Sequence, residues 1–160
     1  MSPQRDPDRA RALALGTRAY HAAVREDWPA TRAAMAEAGR QGPNVIALVL
    51  TGFCDTTIAL QREIRGMPPL QDGVAEEGPV RPVWLNGETG KLTMDAGDLT
   101  PAVRWAGQLV AARAAQDFDG FQALLKAMPA DGLKRGEYAT TLLMSCVTLA
   151  RARKPGAGKS

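Results

Sequence analysis

The residues that could do chemistry are few, and their spacing narrows the chemistry further. His21 is the only histidine. A general base needs a nucleophile or proton donor within reach, and a metal needs further ligands. His21 adjoins Tyr20 and has Asp27 within six residues, but no Ser, Cys or carboxylate cluster accompanies it, so it reads as a partly exposed helix histidine. Cys54 and Cys146 both sit in apolar, helix-like runs and lack metal-ligand spacing. They read as small core residues of a reducing compartment, with a redox pair as the alternative if the fold brings them together. Asp55-Thr56-Thr57 breaks an apolar run. A buried carboxylate needs a partner, and Arg62 or Arg18 is in reach; the run is read as such a polar contact or a solvated edge, with a ligand site or dimer interface as the alternative. Two glycine-lysine runs suggest phosphate binding, but both fail on position. Before Gly90-Lys91, Leu85 stands where a P-loop has its first glycine, and Leu92 replaces the magnesium-ordering Ser or Thr. The run Gly156-Ala157-Gly158-Lys159-Ser160 has no following helix to present a positive end. No catalytic residue, cofactor site or metal site is therefore expected, and the chain is read as not an enzyme. Two or more of Tyr20, His21, Asp27, Cys54 and Asp55 sharing a cleft would reverse that reading.

Arg11, Arg18, Arg25 and Arg32 recur every seven residues, and the first three form a basic stripe on one helix. Such a stripe is either a solvated face with local ion pairs or a docking edge for acidic or phosphorylated partners. Interleaved aromatics for stacking single-stranded nucleic acid are absent from the stripe. The charge balance agrees. Residues 1–150 carry 16 basic and 17 acidic side chains, whereas 151–160 hold Arg151, Arg153, Lys154 and Lys159. The pI of about 9.1 thus belongs to the last ten residues. The body lacks the broad basic surface of a nucleic-acid binder.

The elements that position these residues are helices. Of 160 residues, 45% are hydrophobic and alanine is abundant, enough for one domain with a core that needs no metal or disulfide. Arginine far outnumbers lysine, as in bacterial chains from GC-rich genomes. Met1 to Asp8 is polar and does not read as a signal peptide, so a cytoplasmic location is expected. Asp6-Pro7-Asp8 opens a first helix, on which Leu13, Ala14, Thr17, Tyr20 and Val24 form the expected apolar face. Asp27 ends it and caps a second helix from Trp28 to about Ala38. Gly42-Pro43-Asn44 restarts the chain into a third helix over about 45–65. Its apolar run Val45–Leu60 is short of a membrane span and reads as a core helix. Residues 66–100 hold four prolines and six acids against Arg81 and Lys91. They read as an acidic linker, with a β-hairpin at 83–94 whose Trp84 would anchor it on the helices.

The second half repeats the first. Thr100-Pro101 opens a helix, Asp117-Phe118 stands where Asp27-Trp28 stood, and a short helix and a long one follow. An offset of 90 pairs Asp27 with Asp117 and Trp28 with Phe118; an offset of 92 pairs Cys54 with Cys146. The expected fold is mainly α: one domain, built as a tandem duplication of a three-helix unit. The copies are 1–66 and 100–153, joined by the linker 67–99 and followed by a disordered basic tail, 154–160. The segments AYHAAVREDWPATRAAMAEAG and, less closely, LVAARAAQDFDGFQALLKAMP resemble one helical hairpin of a tetratricopeptide-repeat protein. The period here is near 90 residues and not the ~34 of those arrays. What the resemblance implies is a helical-hairpin scaffold of the kind used to bind partners. The function expected is a non-enzymatic interaction module for a protein partner or a second copy, with no membrane association. A nucleic-acid-associated accessory role for the Arg11-Arg18-Arg25 stripe and the basic tail is the alternative.

Overall fold

A computed structural model describes residues 7–68, 70, 84–85, 92–93 and 100–153. The described residues form six helices: α1 (Pro7–Val24), α2 (Trp28–Arg40), α3 (Pro43–Ile64), α4 (Pro101–Ala114), α5 (Phe118–Lys126) and α6 (Gly132–Arg153). The fold is mainly α, as the periodicity predicts. Two short strands, β1 (Trp84–Leu85) and β2 (Leu92–Thr93), pair antiparallel with Trp84 opposite Thr93. The turn of the expected hairpin, most of the linker 67–99 and the tail 154–160 lie outside the described residues. The chain divides into two compact units, Met1–Phe53 and Cys54–Ser160, and the boundary falls inside α3.

In the first unit α1 packs along α2. Proline at its first position and Asp8 in its first turn suit the start of α1. Asp8 also accepts a 2.8 Å hydrogen bond from the Asn44 side chain, tying this end to the first turn of α3. The buried face of α1 is Ala12, Leu15, Ala19, Ala22 and Ala23. Against the sequence expectation, Leu13 is 73% exposed, Ala14 and Thr17 are exposed, and Tyr20 and Val24 are only half-buried. The reason is packing distance. Alanines let two helix backbones approach closely, so the inward face of α1 carries almost no large side chain for a hydropathy pattern to register. The matching face of α2 is Thr31, Ala34, Met35 and Ala38. Thr31 is buried because its hydroxyl donates to the Asp27 carbonyl at 2.8 Å.

The turn between α1 and α2 combines a helix stop with a helix start. The Asp27 amide donates to Ala22 O (2.9 Å) and the Glu26 amide to Ala23 O (3.0 Å), which is the Schellman pattern. Glu26 sits at φ 60°, where glycine is the usual occupant. Asp27 then caps α2 by accepting from the Ala30 amide at 3.2 Å. The α4–α5 turn has the same form. Gln116 has φ 57°, Asp117 donates to Ala112 O (2.9 Å), and the Asp117 side chain accepts from Gly120 N (3.0 Å). The caps Asp27 and Asp117 share φ −86°, with ψ of 80° and 84°. A left-handed non-glycine residue costs roughly 1 kcal/mol. Glu26→Gly and Gln116→Gly are therefore expected to leave stability unchanged or raise it by up to about 1 kcal/mol, offset in part by glycine's larger unfolded-state entropy. Asp27→Ala is expected to cost about 1 kcal/mol. Urea denaturation followed by circular dichroism separates the two signs.

In the second unit α4 packs against α5 and α6, and β1 lies against α6. The core is Trp105, Leu109 and Val110 from α4, Phe121 from α5, and Leu142, Leu143, Val147 and Leu149 from α6. Ile58 and Leu60 add the second half of α3. The helix α3 is 22 residues long, because Pro43-Asn44 and Gln61–Ile64 extend the apolar run by polar turns at each end. These bounds agree with the expected 45–65 to within two residues; by length and composition α3 could cross a membrane, and 44% of its most apolar window is buried inside the molecule.

Candidate functional site

The residues singled out by sequence fall into two groups, one in each unit. In the second unit α3, α4 and α6 bring Cys54, Asp55, Thr57, Arg113 and Cys146 together. Cys54 and Cys146 are fully buried free thiols. The Thr57 hydroxyl and Cys146 Sγ lie 2.9 Å apart, and either can donate. Asp55 does not pair with Arg62 or Arg18. It accepts two hydrogen bonds from Arg113, from Nε at 2.8 Å and Nη2 at 3.2 Å. The seven-residue separation that suggested Arg62 puts that side chain elsewhere: Arg62 is buried and its Nε donates to the Pro68 carbonyl at 2.6 Å, closing the exit of α3. Asp55 is about half exposed, so this ion pair contributes little to stability beyond its two-bond geometry.

Burial pushes both thiols up. Cys54 is raised well above the usual thiol range by burial, then by its neighbours Cys146 and Asp55. Cys146 is raised to about 11 by burial, against the lowering effect of the Thr57 hydrogen bond. A nucleophile, metal ligand or redox thiol works as the thiolate and needs the opposite shift. The cluster is therefore suited to packing. Its pH dependence follows from linkage. Below pH 9.0 both folded and unfolded chains keep the Cys146 proton; between 9.0 and about 11 the unfolded chain loses it first. Stability present below pH 9.0 should fall by about 2–3 kcal/mol as pH rises through about 11. Urea titrations at several alkaline pH values should show this slope in the native chain and a shallower one in Cys146→Ala. Equal slopes would contradict the burial account.

In the first unit Arg11, Arg18, Arg25 and Arg32 are all exposed. Arg11 pairs with Asp8 at 3.4 Å. On α2 the Glu37 carboxylate is held below the usual range by hydrogen bonds from Gln41 and Arg40, with Arg40 also acting through its charge and Arg18 contributing from α1. His21 is exposed and meets the Tyr20 ring edge-on, with centroids 5.8 Å apart. Trp28 is half-buried beside its turn, whereas Phe118, the expected anchor of the second turn, is 63% exposed. The aromatic that packs there is Phe121, one turn on. The Trp84 side chain lies outside the described residues. Among the described residues, no group of three or more His, Cys, Asp or Glu side chains could hold a metal ion. Every buried side-chain nitrogen or oxygen among them has a hydrogen-bond partner.

Sequence reading missed two features. One is Trp105, whose indole Nε1 donates to the Leu124 carbonyl at 2.8 Å and whose ring lies 5.3 Å from that of Tyr138. A tryptophan among small and aliphatic residues of a helix was the available signal. The other is the outward direction of the Leu13 face, which periodicity alone cannot give. Compared with family models, curated proteins and solved structures, the chain has no match in any of the three.

Proposed function

We propose that this chain is a non-enzymatic helical interaction module that docks a protein partner on α1. The observation that carries the reading is the α1 face itself: Leu13, Ala14 and Thr17 form a regular apolar pattern, yet they face outward and Arg11, Arg18 and Arg25 run beside them. An exposed apolar strip edged by charge is the form in which a helix-docking face presents itself. The reading includes a tandem duplication of a tetratricopeptide-like hairpin with its third helix, and a hairpin at 83–94 between the copies. In its favour are the matched left-handed residues, matched aspartate caps and matched hydrogen bonds of the two turns. It also takes the chain as cytoplasmic, without a cofactor, and able to pair with a second copy.

A photo-crosslinking residue placed at Leu13 or Thr17, with exposed Gln122 of α5 as control, tests the reading in the native cell. One reproducible protein adduct at the α1 positions, absent from the control, is expected. The same adducts at all three positions would refute a docking face on α1. The exposed arginines also favour a second reading, an accessory role on nucleic acid. Retention on duplex DNA that falls steeply with salt would support that alternative.

A further inference from the structure

We infer that the partner of α1 is an acidic amphipathic helix, seated on the face centred on Leu13 and Thr17 and held by arginines on both of its edges. The inference rests on the interaction-module reading above and narrows it to one class of partner. At about 100° per residue, Ala10, Leu13, Ala14, Thr17, His21 and Val24 lie on one side of α1, opposite the buried alanines. No Asp, Glu, Lys or Arg falls within this face. The seven-residue spacing of Arg11, Arg18 and Arg25 keeps them along one edge, and Arg9 lies on the other. All four arginines are exposed.

Size selects a helix as the occupant. Alanine and threonine around one leucine leave a shallow groove into which the ridge of another helix fits at an axis separation of about 8–10 Å. The counterpart helix supports this. At the offset of 90 that superposes the two turns, Leu13, Thr17, His21 and Val24 match Val103, Gly107, Ala111 and Ala114 of α4, and Ala10 and Ala14 match Thr100 and Arg104. There Gly107 and Ala114 are buried, Val103 and Ala111 are half-buried and Thr100 and Arg104 are exposed, on a helix that packs along α5 and α6. The strip through Leu13, Thr17 and Val24 thus has a counterpart that is largely covered, whereas Leu13 and Thr17 themselves are open.

Charge selects the partner. A second copy pairing through α1 would set the Arg11-Arg18-Arg25 edge against itself when antiparallel and against the Arg9 edge when parallel; both arrangements repel. Carboxylates flanking an apolar stripe satisfy both edges at once, as at the outer positions of a coiled coil. Lipid is a poorer occupant, since interfacial helices present several large apolar side chains and this face has one leucine. Phosphate backbones would meet the arginines but leave the apolar strip uncovered by anything apolar.

The probe is a fluorescein-labelled peptide of about 21 residues, three heptads with leucine at the seam and glutamate on both flanks. Its control carries lysine on the flanks. Anisotropy is read with the full chain at about 0.1 M salt, where screening still leaves charge pairs effective. The glutamate peptide should bind and the lysine peptide should not. Leu13→Asp should weaken binding at least about tenfold. The triple variant Arg11→Glu, Arg18→Glu, Arg25→Glu should reverse the preference between the peptides. Circular dichroism verifies that each variant is folded. Equal binding of the two peptides, or binding insensitive to Leu13→Asp, overturns the inference. So does displacement of the peptide by duplex DNA or phosphatidylserine vesicles whose own binding ignores Leu13→Asp, because the face would then be a polyanion surface. Crosslinks at Leu13 and Thr17 that persist in excess glutamate peptide overturn the partner class and leave the module reading standing. Loss of both crosslinks and peptide binding overturns both.

Discussion

Ala19→Asp should unfold the first unit, whereas Leu13→Asp should leave it intact. The two substitutions introduce the same charge on the same helix, six residues apart. Ala19 is 0% exposed, and it lies among Ala12, Leu15, Ala22 and Ala23 on the face that α1 turns inward. A carboxylate there has no cation to pair with on that face of α1, and its burial without a partner costs several kcal/mol. The added volume strains a seam whose close approach depends on alanine. Loss of about 3–5 kcal/mol is the expected scale, a large share of the stability of a small domain. Leu13 is 73% exposed, so its replacement removes little buried area and should shift stability by no more than about 0.5 kcal/mol. Thermal and urea unfolding of the two variants measure the difference. A stable Ala19→Asp chain, or an unfolded Leu13→Asp chain, would restore the face that hydropathy favoured.

That pair of residues also shows what the sequence carries and what it omits. Helix existence is legible because capping chemistry is local. Asp27 and Asp117 announce their turns by residue type, and the structure gives them the expected role of accepting from Ala30 N and Gly120 N. Facing is a tertiary property. On α1 two stripes compete: a bulky one through Leu13 and Tyr20, and an alanine one through Ala19, Ala22 and Ala23. Hydropathy weights the first, but the chain buries the second because α2 offers Ala34 and Ala38 for close contact. Side-chain pairing is even less local. Asp55 and Arg113 are 58 residues apart, and only the packing of α3 near α4 makes them partners. The cysteines were legible as buried core residues from their apolar surroundings, yet nothing in sequence could give Thr57 as the group beside Cys146. The candidate docking face was half legible: its arginines and leucine were evident as types and spacing, but their shared exposure was not.

Trp105→Ala should cost the second unit about 3–5 kcal/mol, the range for removing a large buried aromatic. The residue is 4% exposed and joins three helices. It belongs to α4, its indole N–H binds the Leu124 carbonyl of α5, and its ring packs against Tyr138 of α6. Leu124 O stands in the last turn of α5, where it also accepts from the Ala127 amide at 3.2 Å, so Trp105 supplies its shorter, second hydrogen bond. The helix is only nine residues long, too short to persist on its own propensity. Its order therefore depends on tertiary contacts, and the Trp105 bond adds one at its last turn. Trp105→Phe separates the contributions. Phenylalanine keeps most of the ring packing but cannot donate, so the expected cost falls to about 1–3 kcal/mol, that of a weakened carbonyl and a small void. Hydrogen exchange locates the effect: in Trp105→Phe the amides of α5 should lose protection before those of α6. Uniform loss of protection across α4, α5 and α6 in Trp105→Phe would mean that the ring's bulk, and not its hydrogen bond, sets the stability of α5.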